Sequence, residues 1–273
     1  MVNISVIIPT MKGREEMLKK LISTIPPECE IIVVDDEDLL LAAKRNKGAR
    51  QASGNYLLFI DDDNYLREGA VYEMMLWITP KIGVMGMMAC YDNKKEIVAD
   101  GGSKRNYLTG FTYGLNTNKN ISRVNFLSYE VDELANAFMI PNWLFRSVGG
   151  FDEENFPIDL DEADICKRIK NLGYKIMMNP LAVCYHKSQT YSHIPNFRRP
   201  MNAYFMGRNR TIYQRKFNNP LRYGVYISVF MPVFIGFYSM SLIWRRKPLM
   251  IWHFMRGVID GIFGRRKNRY QQG

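Results

Sequence analysis

Three consecutive carboxylates, Asp61, Asp62 and Asp63, stand directly behind the apolar run Tyr56 to Ile60. Like charges repel where a buried strand ends, and a divalent cation with oxygen ligands relieves that repulsion, often together with a diphosphate. A solvated acidic turn accounts for the same triplet, so the surroundings decide. A second acidic group, Asp161-Glu162-Ala163-Asp164, opens a segment with helical spacing, and His186 follows an apolar run near the end of the same half of the chain.

The elements around these residues alternate. Ile4 to Ile8 is a β-branched apolar run ended by Pro9-Thr10, and Arg14 to Ile25 repeats its apolar positions as a helix does. Glu30 to Val34 reads as a second strand ended by Asp35-Asp36, Asp38 to Ala52 as a second helix, and Tyr56 to Ile60 as a third strand. Strands alternating with helices imply a parallel sheet, in which ligands bind beyond the carboxyl ends of the strands. Thr10, Asp36 and the triplet all fall at that edge. Beyond a helix over residues 69–78, Gly83 to Tyr91 is a further strand, residues 92–120 lose regular pattern, and Val124 to Val131 and Ala135 to Ile140 read as strands. A short helix over Asn142 to Val148, a turn at Gly149-Gly150, a helix over Asp161 to Leu172 and two short strands, Tyr174 to Met178 and Leu181 to Tyr185, lead to His186.

Seven motifs occur in a fixed order: Ser-Val-Ile-Ile-Pro-Thr (5–10), Val-Val-Asp-Asp (33–36), Lys-Arg-Asn-Lys-Gly-Ala (44–49), Asp-Asp-Asp (61–63), Gly-Gly-Phe-Asp-Glu (149–153), Asp-Glu-Ala-Asp-Ile-Cys-Lys-Arg-Ile-Lys-Asn-Leu-Gly-Tyr-Lys (161–175) and His186. Together they resemble the family 2 glycosyltransferases of the GT-A fold over residues 4–188. The resemblance implies an α/β, Rossmann-like GT-A domain with a mostly parallel central sheet, a nucleotide-sugar donor and inversion at the anomeric carbon. UDP-sugar is the expected donor, with GDP- and dTDP-sugars as alternatives. It also implies that Pro9, Thr10 and Asp36 line the base and ribose pocket and that Arg45 reaches the nucleotide from the second helix. Asp61 would face the ribose and Asp63 the metal, Mn2+ or Mg2+, with Asp62 between them pointing away. Alternate residues of an extended segment do leave on opposite faces. His186 would complete the metal shell, whereas His193 and His253 read as loop and surface residues.

An inverting transfer needs a carboxylate to take the acceptor proton. The family pattern is Glu-Asp-X-Asp with the first Asp as base. This chain has Asp-Glu-Ala-Asp, which aligns Glu162 with the base and leaves the neighbouring Asp161 as the alternative.

Composition divides the chain at about residue 197. The formal charge is +10, but residues 198–273 carry 15 Lys and Arg against one acid, Asp260, so that part is +14 and the remainder −4. The 47% hydrophobic content is ample for a sizeable core, so disorder is not the default expectation. Cys29, Cys90, Cys166 and Cys184 lack metal-ligand spacing and read as reduced packing residues. The start, with no basic n-region or cleavage site, points to the cytoplasm.

Tyr223 to Trp244 is uncharged over 22 residues, the length of a membrane span, and basic residues flank both ends. Spanning would set Arg265-Arg266-Lys267 against the positive-inside tendency. The expected arrangement is therefore a C-terminal helical segment, 198–273, lying on an anionic membrane surface at the cytoplasmic face, beside a glycosyltransferase domain over 1–197. A true span and a helical subdomain or dimer interface remain the alternatives. The sequence thus reads as a metal-dependent inverting glycosyltransferase acting on a hydroxyl of a lipid-linked or membrane-proximal glycan. No nucleic-acid partner is expected. A nucleotide-sugar-binding protein without catalysis, or a basic membrane- or nucleic-acid-binding protein on the same scaffold, are the competing readings.

Overall fold

The computed structural model describes residues 3–187 and 200–264. His193 and the cluster Arg265-Arg266-Lys267 lie outside the described residues. Two compact units are resolved: one of Met1–Lys104, Tyr113–Asp152 and Glu162–Tyr191, the other of Arg105–Thr112, Glu153–Asp161 and Ser192–Gly273.

The first unit begins with β1 (Ile4–Pro9), buried at all six positions, as a strand covered on both faces must be. It is followed by α1 (Glu15–Ile22), β2 (Glu30–Val34), α2 (Leu41–Gln51), β3 (Tyr56–Ile60), β4 (Asn64–Leu66), α3 (Ala70–Leu76) and β5 (Ile82–Tyr91). Next come β6 (Lys94–Asp100), β7 (Ser103–Arg105), β8 (Thr112–Gly114), β9 (Tyr129–Glu130), β10 (Ala137–Pro141), α4 (Asn142–Ser147), α5 (Asp161–Asn171) and β11 (Lys175–His186). The main sheet runs β2-β1-β3-β10-β5-β11-β4, with β6 on β5 and β9 on β11.

β1 is parallel to β2 and β3, and β11 is parallel to β5. β10 is antiparallel to both β3 and β5, so β3, β5 and β11 point the same way. That direction places Thr10, Asp36, the Asp triplet and His186 at one edge of the sheet. β4 then pairs antiparallel with β11 and sets Asn64 opposite His186. The ladder thereby brings the residue before Asn64, Asp63, to the end of β11.

Period-two alternation sends Ile7, Leu57, Phe59 and Phe138 into one apolar cluster and Val6, Ile8, Leu58 and Met139 into the other. Each large side chain so buried stabilises the fold by roughly 1.5–3 kcal/mol relative to exposure. Phe59 meets Phe145 and Phe151 at ring-centroid distances of 5.2 and 5.0 Å, fixing α4 and the Gly-Gly-Phe turn against β3. All four cysteines are buried and free.

Three expectations are corrected. Residues 92–120 are not irregular throughout, because β6 completes its hydrogen bonds on the edge of β5 although only Val98 is buried along it. Val124 to Val131 is not a strand except at Tyr129–Glu130; Phe126 and Leu127 face solvent, so its apolar run has no sheet face to cover. The two short strands before His186 are one, β11, which passes Asn179-Pro180 with a shift in register against β5.

The second unit is built on α6 (Pro200–Phe217), α7 (Pro220–Val225), α8 (Met231–Trp244) and α9 (Leu249–Ile262). α6 and α9 cross closely because a Cβ at Gly257 would run into the carbonyl oxygen of Tyr204, and one at Gly207 into that of Phe254. The buried Asp260 accepts from Tyr204 Oη at 3.0 Å. The two inserted segments are tied to α6 by hydrogen bonds: Arg208 donates to Asn155 O at 2.8 Å, Asn209 to Ile158 O at 2.6 Å and Arg210 to Gly110 O at 3.0 Å.

Candidate active site

The triplet does not behave as three equivalent acids. Asp62 is 1% exposed and accepts from Thr10 Oγ1 at 2.7 Å and from the Arg14 guanidinium. Thr10 is itself held by its amide on Val34 O at 2.9 Å and by Lys44 Nζ on its carbonyl at 2.6 Å. The central carboxylate is therefore an internal strut between the exits of β1 and β3.

Asp61 turns the other way. Its Oδ1 accepts from Arg45 Nη2 at 2.7 Å, and Arg45 Nη1 donates to Glu162 Oε1 at 2.7 Å. Arg45 has no solvent exposure and rests on α2, buried between the Phe138 and Phe151 rings. Burial raises the Asp61 carboxyl to about 6, against the pull of Arg45 and with Glu162 and Asp63 adding repulsion. The Asp61 amide donates to Asn136 O at 3.0 Å, and Asn136 Nδ2 donates to Asp100 Oδ2 at 3.0 Å. Asn136 sits at φ 64°, a left-handed conformation that Asn tolerates better than most residues. Asp100, whose carboxyl is raised by burial, is a site neighbour that sequence reasoning missed. Its strand has no periodic signal. Arg14 was missed too, since its partner Asp62 is distant in sequence.

Asp63 faces His186. Nε2 lies 3.6 Å from Asp63 Oδ1, Asn64 Nδ2 donates to the same oxygen at 3.1 Å, and Lys187 N donates to Asp63 O at 2.9 Å. Both side chains are about a quarter exposed, at 27% and 25%. Burial would push the Asp63 carboxyl up, but the imidazole of His186, helped by Arg14, holds it below the usual range. The same contact, with Asp61 and Asp100 contributing, raises His186 despite its burial. Among the described residues no group of three or more His, Cys, Asp or Glu forms a protein-only metal cage. The donor set that is present, one carboxylate and one imidazole, fits a cation that takes its other ligands from phosphate oxygens and water.

The acidic helix divides as well. Asp161 and Asp164 have no exposure, whereas the Glu162 side chain keeps 16%. Asp164 accepts from Arg168 Nε at 2.7 Å, and Arg168 also donates to Val148 O and Gly150 O at 2.6 and 2.7 Å. Asn46, beside Arg45, closes the other side of that turn: it donates to Phe151 O and accepts from Phe151 N, each at 2.9 Å. Gly150 has φ 71° and a Cβ there would lie 2.7 Å from Asn46 Oδ1, so a side chain at this position would be strained and would push on Asn46. Three sequence motifs, Arg45-Asn46, Gly149-Gly150-Phe151 and Glu162 to Arg168, are thus one bonded assembly.

Of the remaining nucleotide-pocket residues, Pro9 ends β1 paired with Val34. Asp36 accepts from Lys47 Nζ at 2.8 Å and, lowered chiefly by that bond, stays ionised at the edge of β2. Arg45 contacts the two carboxylates rather than standing at the surface. His253 is half-buried on α9.

No curated protein matches this chain. Among solved structures it is similar to GalNAc-T7 with UDP, GalNAc and Mn2+ (12% identity, TM-score 0.56, 81% of this chain) and spans about half, 52%, of that protein. It is also similar to Staphylococcus aureus TarS 1-349 in complex with UDP-GlcNAc (15% identity, TM-score 0.57, 95% of this chain and 81% of that one). A third is the mannosyltransferase PcManGT from Pyrobaculum calidifontis in complex with GDP-Man and Mn2+ (10% identity, TM-score 0.53, 97% and 88%). These likenesses show the GT-A type of fold that the motifs imply. Residues 3–211 match the sequence profile described as glycosyltransferase like family 2, and the chain belongs to that family.

Proposed function

We propose that the protein is a metal-dependent inverting glycosyltransferase that moves a sugar from a nucleotide-sugar donor to a hydroxyl of a lipid-linked or membrane-proximal glycan at the cytoplasmic face of a membrane. The observation that carries this reading is the shared edge at which Asp63 faces His186 while Arg45 ties Asp61 to Glu162. The similar structures with UDP or GDP-Man and Mn2+ support the donor class.

Asp63 and His186 would hold the cation, Mn2+ or Mg2+. When bound, it would neutralise charge on the diphosphate as the glycosidic bond to phosphate breaks. Asp61 would accept from the ribose, with Pro9, Thr10 and Asp36 shaping the nucleoside end. The acceptor oxygen would form its bond to the anomeric carbon from the face opposite the leaving nucleoside diphosphate, and its proton would pass to Glu162. Glu162 suits that role better than Asp161 because it retains access to solvent. Arg45, donating to Glu162 Oε1 at 2.7 Å, would hold that carboxylate in place.

Thermal stabilisation by UDP-, GDP- and dTDP-sugars, each with and without Mn2+, tests the reading. A metal-dependent rise in Tm with one donor series, followed by slow donor hydrolysis, is the expected result. Stabilisation without any hydrolysis would favour a nucleotide-sugar-binding protein. No response to any donor would reject both.

A further inference from the structure

The helices of the second unit present an apolar surface that no described residue of the unit covers. Along the rod from α7 through α8, Leu221, Val229, Val233, Phe237, Met240 and Trp244 are 52–82% exposed. From Val229 onward they recur at steps of three or four residues, which is one face of a helix. The opposite face is equally apolar but buried: Met231, Phe234, Tyr238 and Leu242 pack with Ala203 of α6 and with Phe254 and Val258 of α9. A π-helical turn over Tyr226–Phe230 supplies the extra residue that keeps Tyr226 on the buried side with Met231. α9 adds Leu249, Trp252 and Ile259, and Phe263 follows at its C-terminal end, all exposed. A helix bathed in water on its outer side carries polar residues there, and this one carries none with a charge between Arg222 and Arg245.

Charge identifies the occupant. Arg222 precedes the apolar face, Arg245-Arg246-Lys247 follow it, and Arg256 lies over Trp252 at 5.1 Å. Over residues 200–264 nine Lys and Arg face one acid, Asp260, which is buried on Tyr204. Exposed aromatic and aliphatic side chains bordered by cations match the interface of a bilayer with anionic headgroups.

The Pro220–Trp244 helix has the length and apolarity of a span. Its buried face, however, is joined to a core that includes Arg208, Asn209 and Asp260, and Arg210 lies 4.2 Å from the Phe234 ring. Crossing the bilayer would carry those charged and amide side chains into hydrocarbon, where ionisable groups are costly. We infer that the second unit is a monotopic anchor: the α7–α8 rod lies in the plane of an anionic membrane, with Val233, Phe237, Met240 and Trp244 inserted and the Arg245-Arg246-Lys247 cluster on the headgroups. This rests on the membrane-proximal acceptor proposed above and specifies how the surface is held.

The test uses the full chain and vesicles of phosphatidylcholine with or without phosphatidylglycerol. The wild type should co-sediment at least about tenfold more with the anionic vesicles, and the triple variant Phe237→Ser, Met240→Ser, Trp244→Ser should lose that binding. The variant Arg245→Gln, Arg246→Gln, Lys247→Gln should keep weak binding and lose the lipid preference. Brominated-lipid quenching distinguishes the geometry. In-plane seating gives Val233→Trp and the native Trp244 similar depths, whereas a span separates them by about 16 Å. A span-like depth difference would overturn the proposal. So would failure of the wild type to bind anionic vesicles, including the case in which the triple variant instead dissolves a dimer. Donor hydrolysis without vesicles reads the catalytic proposal separately: it should be unchanged in the triple variant, and its absence in the wild type would count against catalysis while leaving vesicle binding intact.

Discussion

Asp61 and Glu162, far apart in the chain, are held by one guanidinium: Arg45 donates at 2.7 Å to each and has no exposure to solvent. One carboxylate belongs to the end of β3 and the other to the first turn of α5. A single buried side chain on α2 therefore bridges the two elements.

Replacing Arg45 by Met should leave two acids facing each other without their shared cation. The expected loss of stability is about 3–5 kcal/mol, the usual cost of removing one partner from a buried ion pair. Urea denaturation measures it. Arg45→Lys should recover part of the stability yet not the rate, because one ammonium cannot serve both carboxylates with the fork geometry of a guanidinium.

The two candidate bases should separate cleanly. Glu162→Gln is expected to lower kcat by about 10²–10⁴ while leaving donor affinity nearly unchanged. Asp161→Asn should act on Tm more than on kcat, since that carboxyl is buried at the start of α5. Steady-state kinetics beside a thermal melt decide between them, and a catalytic collapse only in Asp161→Asn would reverse the assignment.

The Asp63–His186 pair predicts a pH dependence with a defined sign. His186 is raised by Asp63, so the stability it contributes is fully present below the ordinary histidine pKa of about 6.5 and is lost as pH rises through its raised value. Asp63 is lowered, so its contribution is present above the ordinary carboxylate range and is lost as pH falls through its depressed value. A metal must displace the proton on His186. Mn2+ affinity, measured calorimetrically in the presence of nucleoside diphosphate, should therefore strengthen as pH rises through the raised His186 pKa. Asp63→Ala should remove the Mn2+ response. In His186→Gln the rise with pH should flatten, and an unchanged slope would exclude His186 as a ligand.

Much of the site is legible in the amino-acid sequence. β1, β2 and β3 are short apolar runs ended by Thr10, Asp36 and the triplet, and a parallel arrangement sends such ends to one edge. Glu162 is visible through its place in the motif series. Asn136 and Asp100 are not, because Asn136 acts through a left-handed backbone conformation and Asp100 lies on a strand held by pairing with the remote β5 rather than by an apolar pattern of its own. Arg14 illustrates the same limit, as its role exists only through contact with Asp62.

Local pattern by itself determined the alternation of strands and helices, the edge where chemistry collects and the basic, apolar character of the C-terminal part, because periodicity and strand-ending residues act between near neighbours. Tertiary structure alone decided which carboxylate of the triplet is a buried strut and which keep access to solvent. Asp62 is buried against Thr10 and Arg14, whereas Asp63 meets His186 because β4 pairs antiparallel with β11. It also decided that one side of α8 is buried and the other exposed. The physical reason is that burial and ion pairing depend on segments remote in sequence, so three identical side chains in a row acquire different partners and access to solvent.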